Sequence, residues 1–208
     1  KLYIDLGADN KEEAQKLVSV GEFGIFHREF TDLGNRLIAK SMDDRVGCAV
    51  LVEALKKLEK PLNTLYFVFT TQEEVGLRGA RTSAYGLEPD LGIALDVTLT
   101  GDMPEARRME VSLGKGAAIK VKDSSLLVHP KVKELLIDLA EKNSIPYQME
   151  VLDAGGTDAG AIHLTKAGIP SGAISIPTRY VHSPSEMVDV RDVQACVDLV
   201  VALAGTDL

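Results

Sequence analysis

Acidic side chains and one histidine stand at four places where an apolar segment begins or ends. An aspartate pair begins at Asp43, directly before an apolar helical pattern, and the pair Glu73–Glu74 follows the apolar run TLYFVFT. Asp96 lies near the end of the run GIALDV, and His182 comes shortly after the run SGAISI. Carboxylate oxygens together with an imidazole are ligands for a hard-to-borderline divalent metal ion. These residues therefore suggest a metal site, provided that the fold brings them together.

The elements predicted around these residues would carry them to one edge of a sheet. Three continuous apolar runs predict strands covered on both faces, at Thr64–Thr70, Gly92–Val97 and Ser171–Ile176. Helical patterns alternate with these strands, which predicts an α/β fold with a largely parallel sheet sandwiched by helices. Functional sites in open α/β sheets form at the carboxyl ends of strands. The acidic residues and the histidine stand at such ends or at the start of the first core helix.

The predicted helices carry ordinary start and stop signals. Pro130 is placed at the first helical position of His129–Lys142, and Asp189 is a candidate cap for a helix that continues to Ala204. The helix that follows Asp44 is predicted to stop before Pro61. The other predicted elements are helical at Asn10–Leu17 and Asp158–Gly168, and extended at the chain start from Lys1, Gly21–Phe30, Arg36–Lys40, Gly116–Val121 and Tyr147–Leu152.

Each signal taken alone also has an ordinary structural explanation. An Asp-Asp pair before a helix often caps the helix, and a Glu-Glu pair after a strand often lies in a solvated loop. A single histidine is often a surface residue or a hydrogen-bonded one. Asp96 is harder to explain in this way, because a buried carboxylate without a metal ion or a donor is costly. The coincidence of all four features favours the metal site.

Composition narrows the classes of partner. The chain has 208 residues, of which 45% are hydrophobic, enough for one sizeable core. Its net charge of -8 and pI near 5.1 argue against nucleic acid and against an anionic membrane surface as partners. No apolar segment approaches the roughly 20 residues that cross a bilayer, and no signal-peptide pattern is present. The two cysteines lie in apolar helical patterns and read as reduced thiols, which predicts a cytoplasmic protein.

The combined motifs resemble those of the tetrahedral, deblocking and glutamyl aminopeptidases, some of which are labelled endoglucanases or cellulases. The resemblance rests on SMDDRVGCAVLVEAL, FVFTTQEEVGLRGA, ALDVTLTGD, GGTDAGAIH and PTRYVHSPSEMV, which occur in this order along nearly the whole chain. It implies an aminopeptidase that hydrolyses N-terminal residues from peptides with two divalent metal ions per subunit. Zinc, cobalt and manganese all suit carboxylate–imidazole sites.

The resemblance also assigns roles to individual residues. Asp43 would bridge the two metal ions, with a cis peptide between Asp43 and Asp44. Glu74 and His182 would complete one metal site, and Asp96 would hold the other metal ion. Glu73 would be the general base that takes a proton from the attacking water. Neighbours on an extended segment point in opposite directions, which would let one glutamate bind metal while the other faces the water.

Two further segments are predicted to contact the substrate. The resemblance makes the glycine-rich loop an active-site wall, with Gly156, Thr157 and Asp158 close to the peptide, although the loop also reads as an ordinary tight turn. Arg179 and Tyr180 precede the histidine ligand and are predicted to line the pocket. Self-association into dimers and a dodecamer is implied as well, as it occurs in the family.

One expected part of the family pattern is absent from the sequence. The family has a further histidine ligand in a His-x-Asp segment near the start of its catalytic domain, before a small inserted β-rich domain. None of the four histidines lies in such a segment. Residues 1–42 resemble the end of the inserted, dimerisation-type domain and the return strand, and residues 43–208 resemble the catalytic domain. We therefore expect that the chain lacks its first part, and that alone it loads metal poorly.

Two other functions remain open at the level of sequence. The chain could be a catalytically incomplete fragment, or a non-catalytic assembly subunit that keeps the fold. The presence of a general base beside the ligands argues against that role, and the missing histidine argues for it. Glycoside hydrolysis by the glutamate pair is the third possibility. That reaction needs two carboxyl groups that face each other across the scissile bond, whereas neighbouring side chains diverge.

Overall fold

A mixed seven-stranded sheet forms the centre of the protein in a computed structural model, which describes residues 3–208. The strands are β1 (Thr31–Asp32), β2 (Arg36–Ala39), β3 (Gly92–Thr98), β4 (Ala117–Lys122), β5 (Tyr147–Val151), β6 (Ser171–Arg179) and β7 (Glu186–Asp189). Their order is β1-β2-β7-β6-β4-β5, and β3 pairs with β6 outside this path. The predicted α/β class is confirmed, but the sheet is mixed rather than largely parallel.

The direction of each pairing determines which strand ends meet. β3 runs parallel to β6, and β4 runs parallel to β5, whereas the other pairings are antiparallel. Asp96 of β3 pairs with Ser175 of β6. Because parallel strands end at the same edge, the carboxyl end of β3 lies beside the segment that follows β6. That segment contains His182.

Six helices accompany the sheet in the described part of the chain. They are α1 (Lys11–Leu17), α2 (Met42–Lys57), α3 (Arg78–Leu87), α4 (Pro130–Lys142), α5 (Ala159–Ile162) and α6 (Val190–Ala204). Two of these helices confirm the predicted start signals, since Pro130 begins α4 and Asp189 caps α6. The Asn10 side chain accepts a hydrogen bond from the Glu13 amide at the start of α1, and the Asp189 side chain accepts one from the Arg191 amide at the start of α6. No helix of residues 3–208 is long and apolar enough to cross a membrane.

The core lies between the central strand β6 and the helices α2, α4 and α6. Ile174 of β6, Leu136 of α4 and Leu199 of α6 are completely buried, as is Val50 of α2. Each fully buried aliphatic side chain contributes about 1.5–3 kcal/mol relative to its exposed state. The strands that carry site residues are therefore fixed from behind by close packing.

Several predicted elements are wrong or differ in length. Thr64–Thr70 contains no assigned strand, and Tyr66 in its middle is 55% exposed. No described strand pairs with this run, so its backbone joins no ladder. Gly21–Phe30 likewise forms no strand, and the helix predicted at Asp158–Gly168 shrinks to α5. The extended start predicted from Lys1 is not formed at residues 3–9, and Lys1 and Leu2 lie outside the described residues.

Three elements, β1, α3 and β7, were not predicted from the sequence pattern. In α3 the buried side chains are those of Ala80 and Ala84, so the helix has no stripe of large apolar residues to reveal it. The strand β7 is short and includes two buried carboxylates, Glu186 and Asp189. Charged residues seldom lie in the interior, and the segment therefore reads as a loop. The division into residues 1–42 and residues 43–208 stays a prediction.

Candidate metal centre

The start of α2 positions an aspartate pair at the edge of the sheet. Ser41 has φ 58°, and Asp43 and Asp44 have non-helical backbone angles although they lie within the bounds of α2. The peptide between Asp43 and Asp44 is cis, which confirms the prediction for this bond. The regular helix begins only after this pair, so both carboxylates belong to the irregular first turn and can reach the neighbouring strand ends.

Asp43, Glu74 and His182 form one cluster of possible metal ligands. The distance from His182 Nε2 is 3.2 Å to Asp43 Oδ2 and 3.4 Å to Glu74 Oε2. A tetrahedral zinc ion with bonds of about 2.0–2.1 Å would hold its ligand atoms about 3.3–3.4 Å apart. The donor set and its spacing therefore fit a small divalent cation. The Asp43 side chain is 11% exposed and the His182 side chain 70%, so the cluster opens toward solvent.

A second cluster consists of Asp43, Asp44 and Asp96, whose oxygen atoms also lie within 4.8 Å of one another. Asp43 belongs to both clusters, which is the arrangement predicted for a bridging ligand. Asp44 was missed by the sequence reasoning, which treated it as a helix-start residue. Asp44 does act as a helix-start residue, because Asp44 Oδ1 accepts a hydrogen bond of 3.2 Å from the Gly47 amide. A Cβ atom at Gly47 would lie only 2.3 Å from Asp44 Oδ2, so a side chain at this position would displace the Asp44 carboxylate.

The carboxylates of the second cluster carry mutually unfavourable charges when no cation is bound. Burial, followed by the charges of Asp44 and Glu73, raises the pKa of Asp96 to about 9. Burial and the charge of Asp43 raise the pKa of Asp44 to about 8. The pKa of Asp43 itself is raised to about 6, chiefly by burial. Closely spaced carboxylates of this kind are stabilised by a cation placed between them, which favours their ionised form.

Glu73 lies next to the clusters without belonging to either set of candidate ligands. Burial, followed by the charge of Asp158, raises the pKa of Glu73 to about 7. The expected extended backbone is wrong here, because the amides of Gly76 and Leu77 both donate to the Glu73 carbonyl oxygen and close a turn. The two glutamates nevertheless have different neighbours. Glu74 lies against His182, whereas Glu73 is close enough to Asp158 for its charge to affect the pKa.

The glycine-rich loop reaches the site through Asp158. Asp158 Oδ2 accepts a hydrogen bond of 2.6 Å from Thr70 Oγ1, and its Oδ1 atom is buried with no partner among the described residues. Asp158 lines the same cavity of about 1040 Å³ as Asp43, Glu73 and Asp96. Thr157 is buried, so the three loop residues predicted to bind substrate are not equivalent.

Gly156 is held close to a different part of the fold. A Cβ atom at this position would lie 2.7 Å from Ser125 Oγ, so the loop packs against the turn that follows β4. Neither Gly156 nor Thr157 lines the cavity that contains the acidic cluster. Their role as substrate-binding residues stays a prediction, and the cavity position of Asp158 makes it the loop residue best placed for that role.

Arg179 and Tyr180 lie on the approach to His182. The Arg179 guanidinium donates to Asp102 Oδ1 at 3.0 Å and to Asp102 Oδ2 at 2.7 Å, a bidentate pair that holds β6 to the loop after β3. Tyr180 has φ 59° and an exposed side chain. Neither residue lines the large cavity, and their contact with substrate stays a prediction.

A buried glutamate behind the clusters was also missed by the sequence reasoning. Glu186 Oε2 accepts a hydrogen bond of 3.0 Å from the Asp43 amide, and its Oε1 accepts one of 2.8 Å from the His182 amide. Asp43 is far from Glu186 in sequence, so no local pattern could connect them. The only available signal was a glutamate within a short apolar segment. The remaining histidines, His27, His129 and His163, join no metal-type cluster among residues 3–208.

Comparison with known proteins gives a consistent set of relatives. A family profile described as M42 glutamyl aminopeptidase matches residues 1–199. A relative in Acetivibrio thermocellus is 55% identical over 201 residues, which cover 97% of this chain and 61% of the relative. The solved aminopeptidase APDkam598 of Desulfurococcus kamchatkensis is 47% identical with a TM-score of 0.93, over 98% of this chain and 59% of that one.

A further solved structure concerns assembly. The TET1 peptidase of Pyrococcus horikoshii, described as assembling into a tetrahedron or a large octahedral shell, is 36% identical. Its TM-score is 0.83, and the match covers 96% of this chain and 59% of that one. The chain therefore spans about three-fifths of the length of the relatives that it matches.

Proposed function

This chain belongs to the M42 glutamyl aminopeptidase family, and on that premise we propose that it supplies a dinuclear metal centre that removes N-terminal residues from peptides. The observation that carries the proposal is the position of Asp43. Its carboxylate belongs to two clusters of three possible ligands, as a residue that bridges two metal ions must. Metal ions held by these two clusters would polarise the scissile carbonyl and lower the pKa of the attacking water.

The two clusters offer different donors to these metal ions. The cluster with His182 combines two carboxylates with an imidazole, a set that suits zinc or cobalt. The cluster with Asp44 and Asp96 offers oxygen atoms alone, a set that suits manganese better. We therefore propose two divalent metal ions per subunit, drawn from zinc, cobalt and manganese.

Glu73 is the proposed general base. Its carboxylate lies in the cavity beside both clusters without being one of their members, so it remains available to a water molecule. In the proposed reaction one Glu73 oxygen takes a proton from the attacking water and later gives it to the leaving amine. A pKa near 7 supports this exchange, because a base works best when its pKa is close to the operating pH.

Asp158 is the proposed recognition group for the free amino terminus. Its Oδ1 atom is buried in the cavity wall and has no hydrogen-bond partner among residues 3–208. A protonated α-amino group would satisfy this oxygen and compensate the charge. This role would explain why the peptide must carry a free amino end, a requirement that defines an aminopeptidase.

The structure offers no support for glycoside hydrolysis by Glu73 and Glu74. The two residues are consecutive in one turn, with Glu74 against His182 and Glu73 near Asp158. A glycosidase needs two carboxyl groups that face each other across the scissile bond. A non-catalytic assembly subunit remains the second candidate, and the experiment below distinguishes it.

Self-association is proposed from the relatives. The Pyrococcus horikoshii TET1 peptidase is described as assembling into a tetrahedron or an octahedral shell. We propose that this protein also self-associates, into dimers and a dodecamer. Location in the cytoplasm stays a prediction.

The proposed activity can be tested by comparing three proteins on one peptide panel. The proteins are wild type, Glu73→Gln and the control Glu105→Gln, which changes an exposed glutamate outside the site. Each would be loaded with cobalt and given peptides with free or acetylated amino ends. We expect release of the N-terminal residue from free peptides only, and a loss of about 10²–10⁴-fold in Glu73→Gln with its metal content retained.

Two other results would contradict parts of this proposal. Equal activity in wild type and Glu73→Gln would refute the role of this glutamate. Full metal binding without any turnover in wild type would favour the non-catalytic subunit.

A further inference from the structure

Glu186 is a buried acid whose only side-chain hydrogen-bond partners among the described residues are two backbone amides of the proposed metal centre. It is the first residue of β7 and is 2% exposed. One carboxylate oxygen accepts from the Asp43 amide and the other from the His182 amide. These two amides come from the start of α2 and from the segment that follows β6. A single side chain therefore connects the two segments that carry the shared aspartate and the histidine.

The charge of Glu186 has no cationic partner of its own. No lysine, arginine or histidine forms a salt bridge with it in the described part of the chain. A buried carboxylate without such a partner is costly, and an uncharged side chain would serve as well if the role were only to fill space. The negative charge becomes favourable when cations lie next to Asp43. Bound metal ions would therefore explain why an acid occupies this position.

The backbone around His182 has an unfavourable conformation that a hydrogen bond must stabilise. Tyr180 has φ 59° and His182 has φ 62°, a region that residues with a side chain rarely adopt. The amide that Glu186 binds is that of His182 itself. The hydrogen bond fixes the left-handed conformation that directs the imidazole toward Asp43. Without this hydrogen bond the segment could relax, and the Nε2 atom would leave its position 3.2 Å from Asp43.

We infer that Glu186 is a positioning residue of the metal centre, which fixes the Asp43 and His182 backbones so that their side chains meet at one metal ion. The inference rests on the proposed function, because it requires a metal ion at that cluster. It assigns no contact between Glu186 and the metal or the substrate. Its effect is transmitted through two hydrogen bonds, in the way that outer partners orient metal ligands.

The test compares metal affinity and stability in three variants of the full chain. Glu186→Gln keeps the shape but turns one acceptor into an amide that faces a backbone N–H, and it removes the charge. Glu186→Asp keeps the charge but is too short to reach both amides. Asp189→Asn is the control, since Asp189 is a buried carboxylate on the same strand that caps α6 and binds Arg191, away from both clusters.

Cobalt is the probe, with its affinity measured by calorimetric titration and its coordination by visible absorption. We expect cobalt to bind Glu186→Gln about 10–100-fold more weakly than wild type, with an altered absorption band, and to bind Glu186→Asp with intermediate affinity. Asp189→Asn should lose stability to urea without a change in affinity or spectrum.

Each other outcome has a defined meaning. If Glu186→Gln does not fold, an unchanged cobalt affinity in Glu186→Asp overturns the inference. Wild-type affinity and spectrum in Glu186→Gln overturn the inference and leave the proposed function standing. Absence of cobalt binding in wild type overturns the proposed function and this inference together.

Discussion

Replacement of Asp43 by asparagine should abolish both metal sites, because both clusters use the same carboxylate. The amide is nearly the same shape but carries no charge, so it should leave the fold in place. His182→Ala removes a ligand from one cluster, and Asp96→Asn removes one from the other. Because Asp44 gives the second cluster a third carboxylate, the poor metal loading expected from the sequence is replaced by an expected content of two metal ions per chain in wild type. One ion is expected in each of the latter variants and none in Asp43→Asn.

The size of the effect can be worked out as a thermal shift. A ligand at 100 times its dissociation constant stabilises the folded state by about 2.7 kcal/mol per site. A chain of 208 residues unfolds with an entropy of about 0.44 kcal/mol/K, so one occupied site raises Tm by about 6 °C. Saturating cobalt should therefore raise Tm by about 12 °C in wild type and about 6 °C in Asp96→Asn. No rise is expected in Asp43→Asn.

The assay combines elemental analysis of dialysed protein with thermal unfolding in the presence and absence of cobalt. Asp138→Asn, an exposed acid on α4, is the matched control and should behave like wild type. The reasoning is refuted if Asp43→Asn keeps one equivalent of metal and its thermal shift. That result would mean that the clusters bind independently and that Asp43 is not shared.

Three further predictions concern the surroundings of the site. Lys120→Met should lower the free energy of unfolding, measured with urea, by about 3–5 kcal/mol, because it leaves the buried Glu150 carboxylate without its cation. Removing both charges together should restore part of this loss. Gly47→Ala should displace the Asp44 carboxylate and lower the metal content from two to about one per chain by elemental analysis, whereas a wild-type content would show that Asp44 is not a ligand. Burial alone raises the pKa of Asp102, but its hydrogen bonds to a guanidinium outweigh that effect and lower it to about 2. The ionised Asp102 should therefore stabilise the folded state by about 1 kcal/mol after solvent screening. This stabilisation should be complete above pH 4 and lost as the pH falls toward 2. Unfolding measured as a function of acid pH should show this loss in wild type and not in Asp102→Asn.

Short-range sequence determines which types of metal ligand the site can offer. Asp96 could be identified because it is an acid inside a buried strand, and burial of a carboxylate requires a compensating group. The helices α4 and α6 and the strands β3 and β6 could be predicted for a similar reason, since their apolar periodicity and their end signals are local properties. The resemblance supplied the role of each ligand and the cis peptide.

The tertiary structure decided what depends on contacts between distant segments. Thr64–Thr70 has the composition of a buried strand, but a strand also needs a neighbour to accept its backbone hydrogen bonds, and residues 3–208 provide none. The antiparallel pairing of β4 and β7 with β6 likewise depends on partners that no local pattern specifies.

The same limit applies to individual side chains in the site. The sequence determined that carboxylates and an imidazole were available, because residue type fixes which atoms can bind a metal ion. Only the folded chain placed Asp44 within 4.8 Å of Asp96 and put Glu186 under the amides of Asp43 and His182. Such hydrogen bonds and ligand distances join residues far apart in the chain, and their geometry is set by how the strands and helices pack rather than by the residues next to them.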